Sequence, residues 1–337
     1  MKKVYTLMFL FALVATSYAQ SLTQVFSANE TYSGVKTINV IADFCKVLVE
    51  KGSTIVLDTE LMANKDLEGY EVNVSQEADV LNIVVMKPKS GWTSHSGFVN
   101  LTVPDGINLS INSGSGYITV KGLTANNVEA EAKSGNINVS NVKGDYNLRT
   151  TSASITVENI EGKLVTKSKG GSQVARQING SASLVTYSGA ILAEQINGAL
   201  ATETTDGTQT LKDVEGDVKM KTKSGALKLS DAKGTFYSLS NAGTLNLFNV
   251  EGVFDLNSTK GAVVGNRVKM TASSTFKTTE GKIKLKLDHD KSELSFLCES
   301  EKGMIVVYGK AKKKKNKFGK GPIVVTTYTT TGAQSFY

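Results

Sequence analysis

Histidine and cysteine, from which many metal centres and nucleophilic sites are built, are scarce in this sequence. Its 337 residues include two histidines, His95 and His289, and two cysteines, Cys45 and Cys298. Neither histidine has a cysteine nearby or a second ligand at a spacing typical of zinc sites. The segment around His289 resembles a turn, with metal binding as the weaker alternative. The sequence therefore predicts no metal site and no cofactor.

Recognisable catalytic and phosphate-binding motifs are also missing. The sequence contains no glycine-rich phosphate loop, nucleophile elbow or EF-hand pattern, and it lacks the Gly-Gly-x-Gly-x-Asp calcium repeat. It therefore predicts no catalytic residues, and it favours a protein that is not an enzyme.

Long apolar runs are confined to the N-terminus. Two lysines at positions 2 and 3 precede an apolar run over residues 4–15, and Ser17–Ala19 matches a small-x-small cleavage signal. This pattern predicts a signal peptide over residues 1–19 and an exported mature chain. The run is too short for a transmembrane helix, and no comparable stretch follows it. We expect the protein in the periplasm, on the outer-membrane surface or outside the cell.

Export makes Cys45 and Cys298 eligible to form a disulfide. The two residues lie at opposite ends of the chain. We favour two free, buried thiols that act as small apolar residues.

Glycine is present in quantity and at a regular spacing. Seven glycines follow an 18-residue period, with Ala153 in the one vacant slot, and a second set of seven keeps the same period. A fixed spacing of this kind indicates a repeat architecture. The two sets are Gly135, Gly171, Gly189, Gly207, Gly225, Gly243 and Gly261, and Gly144, Gly162, Gly180, Gly198, Gly216, Gly234 and Gly252.

Each repeat contains two runs of alternating apolar residues. With Ser134 as position 1, these runs occupy positions 4, 6 and 9 and positions 13, 15 and 17. Alternation predicts strands with one buried face, which stacked repeats bury together, whereas glycine and β-branched residues disfavour helices. We predict an all-β, single-chain parallel β-solenoid (β-helix) with about 18 residues per rung. Its core is expected to include Ile137, Val157, Ile191, Val218, Leu229, Leu247 and Phe254.

Stacking of the rungs in register also predicts polar ladders. Amide and carboxylate side chains recur at position 8, hydroxyl side chains recur at position 17, and stacked amides hydrogen-bond along such columns. The position 8 residues are Asn141, Asn159, Gln177, Gln195, Asp213, Asp231 and Asn249. The position 17 residues are Ser168, Thr186, Thr204, Thr222, Ser240 and Ser258.

Charges at position 7 alternate in sign through Glu158, Arg176, Glu194 and Lys212. We expect an ion-pair ladder in which each pair contributes about 0–1 kcal/mol. Such a ladder neutralises the carboxylates that a solenoid lyase or hydrolase would need free. At position 8, Asp213 and Asp231 stack as like charges, and a solvated turn is favoured there over a cation site.

The period divides the chain into four segments. Residues 1–19 form the signal peptide, and residues 20–111 form N-terminal strands, a cap and first irregular rungs. Residues 112–261 form the regular repeats, and residues 262–337 form irregular terminal rungs with a lysine-rich hairpin at 310–321. A surface loop is predicted around Trp92, whose side chain either stacks on a sugar or, preferably, packs on its own loop.

The segment 310–321 carries seven lysines and is predicted to be a long hairpin loop. The formal charge is +7 with the signal peptide and +5 without its two lysines, so the body outside this segment is near −2. The segment could contact anionic lipid, lipopolysaccharide or acidic glycan, or act only as a solvated edge against aggregation. Nucleic acid is not expected, because the chain is predicted to be exported. The candidate contact residues are Lys310, Lys312, Lys313, Lys314, Lys315, Lys317 and Lys320.

A second candidate surface is apolar. Val174 and Leu192 occupy position 5 of neighbouring rungs, and Val165 and Val185 lie on the outer face of the other strand. Outward apolar residues on adjacent rungs form patches that mark interaction sites. We name these four residues the outward patch; either an envelope protein or another segment of this chain is expected to cover it.

The exported start, the Ser-Gly-x-Ile-x-Val units and the Gly-Pro-Ile-Val-Val-x-Thr close at Gly321–Thr327 together resemble a known family. These are the putative adhesin domains of bacterial (Bacteroidetes-type) envelope proteins, a domain of unknown function. The resemblance implies a right-handed β-solenoid at the cell surface or in the periplasm, and it supplies no functional residues. Three hypotheses follow: a non-enzymatic envelope protein for adhesion, binding or structure, a carbohydrate-active solenoid enzyme, and a homopolymerising scaffold joined through open rung ends.

Overall fold

The structure is a computed structural model that describes residues 22–64, 69–88 and 94–337. The described residues contain 27 strands and no helix, and all the strands belong to one continuous hydrogen-bonded sheet. The predicted signal peptide and Trp92 lie outside the described residues.

The first ten strands are β1 (Thr23–Tyr32), β2 (Thr37–Ala42), β3 (Lys46–Lys51), β4 (Ile55–Ala63), β5 (Glu71–Glu77), β6 (Val80–Met86), β7 (His95–Val103), β8 (Asn108–Ser113), β9 (Ile118–Lys121) and β10 (Thr124–Ala132). The regular region contains β11 (Ile137–Thr150), β12 (Ile155–Ser168), β13 (Gln173–Asn179), β14 (Ala182–Thr186), β15 (Ile191–Asn197), β16 (Leu200–Thr204), β17 (Gln209–Glu215), β18 (Val218–Thr222), β19 (Leu227–Ser240) and β20 (Leu245–Ser258). The last seven are β21 (Val263–Met270), β22 (Ser274–Thr278), β23 (Ile283–Leu287), β24 (Leu294–Val307), β25 (Lys310–Gly319), β26 (Ile323–Thr329) and β27 (Gln334–Phe336).

The glycine period corresponds to parallel rungs stacked in register. Ile137 of β11 pairs with Ile155 of β12, and the same offset of one repeat is kept along both strands. It is also kept between β19 and β20, where Leu227 pairs with Leu245. The predicted parallel β-solenoid with about 18 residues per rung is therefore confirmed.

Each rung contributes to two ladders of hydrogen-bonded strands. The first ladder contains β9, β13, β15, β17, β21, β23 and the first parts of β11, β12, β19 and β20. The second ladder contains β10, β14, β16, β18, β22 and the second parts of the same four long strands. A glycine at position 11 lies between the two parts of each rung. At Gly198, for example, φ is 136°, and an added Cβ would collide with the carbonyl oxygen of Gly180 in the neighbouring rung.

The core is buried as predicted. All seven side chains named from the alternation are at most 4% exposed, from Ile137 at 0% to Leu247 at 4%. In the second ladder the aromatic rings of Phe236, Phe254 and Phe276 stack on one another, with centroid separations of 5.2 and 5.8 Å. Phe236 and Phe254 are register partners, whereas Phe276 is the register partner of Leu256, so the ring stack continues across a shift of two positions.

The polar ladders serve different purposes. At position 8, Asn159 donates to the side-chain oxygen of Asn141 at 2.8 Å, so amide bonding along that column does occur. At position 17 the hydroxyls are stacked and buried, and most of them bond to the turn of their own rung. Ser168 donates to the carbonyl of Gly171 at 2.9 Å, and Thr204 accepts from the backbone N–H of Gly207 at 2.7 Å. Thr186 also donates to the carbonyl of Gly171 in the preceding rung, and the buried Ser258 hydroxyl has no partner among the described residues.

The end rungs are assembled out of sequence order. The rung of β2 and β3 lies between the rung of β6 and β7 and the rung of β8 and β9. Likewise, β26 lies between β22 and β24, and β27 lies between β23 and β24. Both ends of the stack are closed by antiparallel strands: β1, β4 and β5 at one end and β25 at the other.

The lysine-rich segment is not a loop, and that prediction was wrong. Residues Lys310–Gly319 form β25, which pairs antiparallel with β24 after a tight turn at Tyr308 and Gly309. The periodicity failed here because β25 closes the stack and keeps nearly all of its side chains in solvent, so no apolar alternation marks it as a strand.

Candidate binding surface

The lysine strand β25 has two inward-facing side chains: Asn316, which bonds within the strand, and Phe318, which packs against the end of the stack. Asn316 is buried and donates to the carbonyl of Lys310 at 3.1 Å. The ring of Phe318 packs against those of Phe296 and Tyr308, with centroid separations of 6.3 and 5.6 Å. These contacts stabilise a strand whose other side chains face water.

All seven predicted contact lysines are exposed. Among the described residues only Lys315 of this group forms an ion pair, with Glu299 at 2.8 Å. The Lys310 ammonium lies 5.2 Å from the ring centroid of Phe318. The structure therefore brings the seven lysines together on one end of the solenoid, with most of their charge uncompensated by neighbouring carboxylates.

A bulge interrupts the pairing of β24 and β25 near the middle of the lysine strand, where residues 300–303 of β24 lie opposite the single residue Lys314. The pairing register shifts between Glu299 and Met304 of β24, and Lys314 adopts φ 67°. Beside the bulge is a shallow cleft of about 310 Å³ lined by Glu299, Ser300, Glu301, Lys314, Lys315 and Tyr328. Its two carboxylates balance its two lysines, so the cleft itself is not strongly basic.

The outward patch divides into two parts. Val174 and Leu192 are register partners on β13 and β15, so the structure brings these two together. Val165 pairs with Ser183, whereas Val185 pairs with Lys167, so these two valines are not direct partners. All four side chains are half-buried. Val165 lines a shallow cleft of about 320 Å³ along the second ladder.

The charged column at position 7 forms the predicted ion pair at one step. Arg176 Nε lies 2.8 Å from a carboxylate oxygen of Glu194. Lys212 instead contacts Asp213 at 3.7 Å, and Asn249 donates to Asp231 at 2.7 Å. The two stacked aspartates therefore already have cationic or amide partners. The described residues contain no group of three or more His, Cys, Asp or Glu side chains arranged to hold a metal ion.

The two histidines have structural partners. The His289 side chain is 2% exposed; its Nε2 accepts from the backbone N–H of Met270 at 2.7 Å, so its Nδ1 donates to Glu293 at 2.8 Å. This hydrogen bond holds the pKa of the Glu293 carboxyl below its usual value. His95 packs on Phe44 and contacts the Tyr70 hydroxyl, and burial lowers its pKa, with a further contribution from Lys87.

The two cysteines are free and buried, as expected from the sequence. Burial raises the pKa of the Cys45 thiol to about 12, with a smaller contribution from the Asp43 carboxylate. Burial also raises the pKa of the Cys298 thiol to about 11, against the effect of a hydrogen bond with Thr327. Neither thiol is available for chemistry in the folded protein at neutral pH.

A structural feature that the sequence patterns missed is the backbone conformation at position 8. Its residues have φ between 52° and 58° through all seven regular rungs, and Arg267 continues the column at 55°. The only signal was the preference for Asn and Asp, which tolerate this left-handed conformation better than most residues. Position 8 is therefore a corner of the rung, and its side chains are exposed except for that of Asp231, which is half-buried.

These features define a repetitive β-solenoid with a basic end. The Toastrack DUF4097 family model matches residues 57–211 and 196–322, which together span more than half of the chain. The chain belongs to this family of unknown function, and the resemblance drawn from its repeat units is confirmed. No curated protein matches this chain.

Three solved structures are similar to the chain. A putative adhesin from Parabacteroides distasonis is 15% identical, with 79% of this chain and 97% of that one covered and a TM-score of 0.37. A putative adhesin from Parabacteroides merdae is 15% identical, with coverages of 77% and 95% and a TM-score of 0.28. A putative cell adhesion protein from Clostridium sporogenes is 10% identical, with coverages of 92% and 99% and a TM-score of 0.19.

Among the described residues, no helix is long and apolar enough to cross a membrane.

Proposed function

We propose that this chain is a non-enzymatic, exported envelope protein whose rigid solenoid presents the lysine strand β25 to an anionic surface. Export is supported by the signal-peptide pattern of residues 1–19. The observation that carries the proposal is the set of seven exposed lysines at one end, of which only Lys315 has a carboxylate partner among the described residues.

The expected ligand is a surface that bears many phosphate groups, such as anionic lipid or lipopolysaccharide. Lysine ammoniums are compact point charges, and they respond to the density of negative charge more than to the shape of one ligand. Each lysine near such a surface contributes up to about 1 kcal/mol, and this contribution decays within a Debye length of about 8 Å at physiological salt. The bond from Asn316 and the packing of Phe318 fix the strand, so little ordering is needed on binding.

The geometry supports binding better than glycoside chemistry. A solenoid lyase or hydrolase needs carboxylates that converge on a substrate and remain available for proton transfer. In the regular rungs the Glu194 carboxylate is paired with Arg176, and Asp231 accepts a hydrogen bond from Asn249. Screening the purified chain against a panel of polysaccharides would detect such an activity.

Cosedimentation with vesicles tests the proposal. We expect the mature chain to pellet with vesicles of phosphatidylglycerol and phosphatidylcholine, and with lipopolysaccharide, at low salt and to be released at high salt. It should not pellet with phosphatidylcholine alone. Replacing Lys312–Lys315 with Ser should abolish binding and leave Tm within about 2 °C, because these side chains lie outside the core.

The matched control removes the same charge from the middle of the solenoid. Lys219, Lys221, Lys223 and Lys228 are also exposed, and replacing all four with Ser should leave most of the vesicle binding in place. Undiminished vesicle binding by the β25 variant, or an equal loss of binding in the two variants, would contradict the proposal that β25 is the binding surface. The outward patch would then be the next candidate.

A further inference from the structure

The two ends of the stack carry strands with one unpaired edge. At the C-terminal end, β25 pairs only with β24 among the described residues. At the N-terminal end, β1 pairs only with β4, and β5 pairs only with β6, within the same described part of the chain. The ends are therefore closed by antiparallel strands, and each closing strand still has backbone groups on one side that can pair with another chain.

The closing strands at the two ends have opposite charge. Every charged residue of β1 and β5 is a glutamate, namely Glu30, Glu71 and Glu77, and all three are exposed. Glu30 accepts a hydrogen bond from Tyr32, and none of the three forms an ion pair with another described residue. Every charged residue of β25 is a lysine: Lys310, Lys312, Lys313, Lys314, Lys315 and Lys317.

The closing strands also match in position. The first half of β25, up to Lys313, lies against the part of β24 that belongs to the first ladder, and the second half, from Lys315, lies against the part in the second ladder. At the other end β1 closes the first ladder through β4 and β7, and β5 closes the second ladder through β6. β1 and β25 are both ten residues long.

We propose that the chain associates head to tail with a second copy of itself, through the free edge of β25 in one copy and the free edges of β1 and β5 in the next. In a coaxial arrangement the first half of β25 meets β1 and runs antiparallel to it, and the second half meets β5. Backbone hydrogen bonds continue the ladders across the junction, and lysines lie opposite glutamates.

The charges favour this contact between unlike ends over a contact between two C-terminal ends or between two N-terminal ends. Two β25 strands brought together would place six lysines against six lysines, and two N-terminal ends would bring glutamates together. Like charges on opposed strands are destabilising, so only the junction between unlike ends is favourable. Such a contact uses different surfaces on the two copies and leaves each end available, so it builds an open filament.

Sedimentation velocity over a range of concentrations tests the proposal on the mature chain, residues 20–337. We expect a concentration-dependent series of assemblies at low salt that dissociates at high salt. The variant E30Q/E71Q/E77Q should weaken association about tenfold, since exposed ion pairs are individually weak. The control E158Q/E203Q/E215Q removes three exposed glutamates from the regular rungs and should associate like the wild type.

A charge exchange gives the sharpest test. The variant E30K/E71K/E77K has two basic ends, and the variant K312E/K313E/K317E loses the basic charge of β25; each alone should remain monomeric. Their mixture should assemble, because each variant then supplies the end that the other lacks. Circular dichroism establishes whether the two charge-exchange variants are folded. If either is not, the weaker association of E30Q/E71Q/E77Q relative to its control tests the proposal. A wild type that is monomeric at every concentration at low salt, or a mixture that fails to assemble, overturns the proposal.

These experiments distinguish the head-to-tail contact from the proposed binding to anionic surfaces. The variants that replace Glu30, Glu71 and Glu77 keep β25 intact, so they should still pellet with anionic vesicles. Assembly without vesicle binding would contradict only the proposed function, and vesicle binding by a strictly monomeric wild type would contradict only the head-to-tail contact.

Discussion

At the scale of single residues, the corner at position 8 shows how the backbone selects a side chain. The column is left out of the strand pairing between β11 and β12, and its residues adopt φ near 55°. A side chain in this left-handed conformation brings its Cβ too close to the backbone, at a cost that is smallest for Asn and Asp and absent for Gly. The column therefore favours Asn and Asp for a backbone reason as well as for amide bonding.

Substitutions of Gln195 can measure the backbone strain at this corner, because its side chain is exposed and its φ is 58°. We expect Gln195→Gly to leave the free energy of unfolding unchanged or raise it by about 0.5 kcal/mol. Gln195→Val should lower it by about 1–2 kcal/mol, because a β-branched residue is strained at positive φ. Urea denaturation measures both changes. Equal effects of the two substitutions would show that the corner is not strained.

The buried thiols give a prediction about reactivity. With pKa values raised to about 12 for Cys45 and about 11 for Cys298, almost no thiolate exists at pH 8. We expect a disulfide reagent to leave the folded protein unmodified and to react with two thiols after denaturation. Because the folded pKa values exceed the ordinary value of 9.0, the free energy of unfolding should fall as the pH rises above about 9. Rapid modification of the folded chain would contradict the burial of these residues.

Two glutamines mark the limit of prediction at residue scale. Position 4 is apolar in most rungs, yet Gln173 and Gln209 occupy it and are at most 1% exposed. Gln173 accepts from the hydroxyl of Thr166 at 2.7 Å and donates to the carbonyl of Val185 at 2.6 Å. The partner threonine lies seven residues earlier on the other ladder, so the pairing becomes evident only when both ladders face one core.

At the scale of strands, the regular rungs were predictable and the end rungs were not. In-register stacking repeats one environment every 18 residues, so the period of the sequence describes β11 to β20 directly. The insertion of β2 and β3 between later rungs has no periodic signal, because those strands pair with segments that are distant and unlike them in sequence. The lysine strand lacks apolar alternation, so its sequence predicts a loop.

The out-of-order assembly of the end rungs can be tested at the C-terminal end, where β26 and β27 lie between β24 and earlier strands. Removing residues 322–337 deletes β26 and β27, which are the only described links between β24 and the rest of the stack apart from its hairpin partner β25. We expect the truncated chain to lose protease resistance over residues 294–319 and to retain it in the regular rungs. Limited proteolysis with mass spectrometry measures this. Deleting β1, an edge strand with one partner, serves as the control and should affect only the other end. An intact β24–β25 hairpin in the truncated chain would contradict the pairing order.

At the scale of the whole molecule, the solenoid is a polarised body. Its regular middle carries alternating charges and an ion pair between Arg176 and Glu194, whereas the densest run of lysines lies at β25, where only Lys315 forms an ion pair among the described residues. If the chain binds an anionic surface as proposed, long-range attraction acts most strongly on this end and orients the solenoid before contact. The candidate lysines were predictable as a charge run, but their placement together on a fixed closing strand required the structure, because β25 depends on its pairing with β24.

Hydrogen–deuterium exchange of the mature chain, diluted below the concentration at which it associates, with and without phosphatidylglycerol vesicles, tests the basic end most directly. At low salt we expect slower exchange on vesicle binding in residues 310–320 and unchanged exchange in the rungs of β11 to β20. At high salt the protection should be lost. Two results would contradict the claim that the lysine strand is the binding surface. One is protection of β13 and β15 around Val174 and Leu192, and the other is unchanged exchange at β25 in protein that is bound to the vesicles.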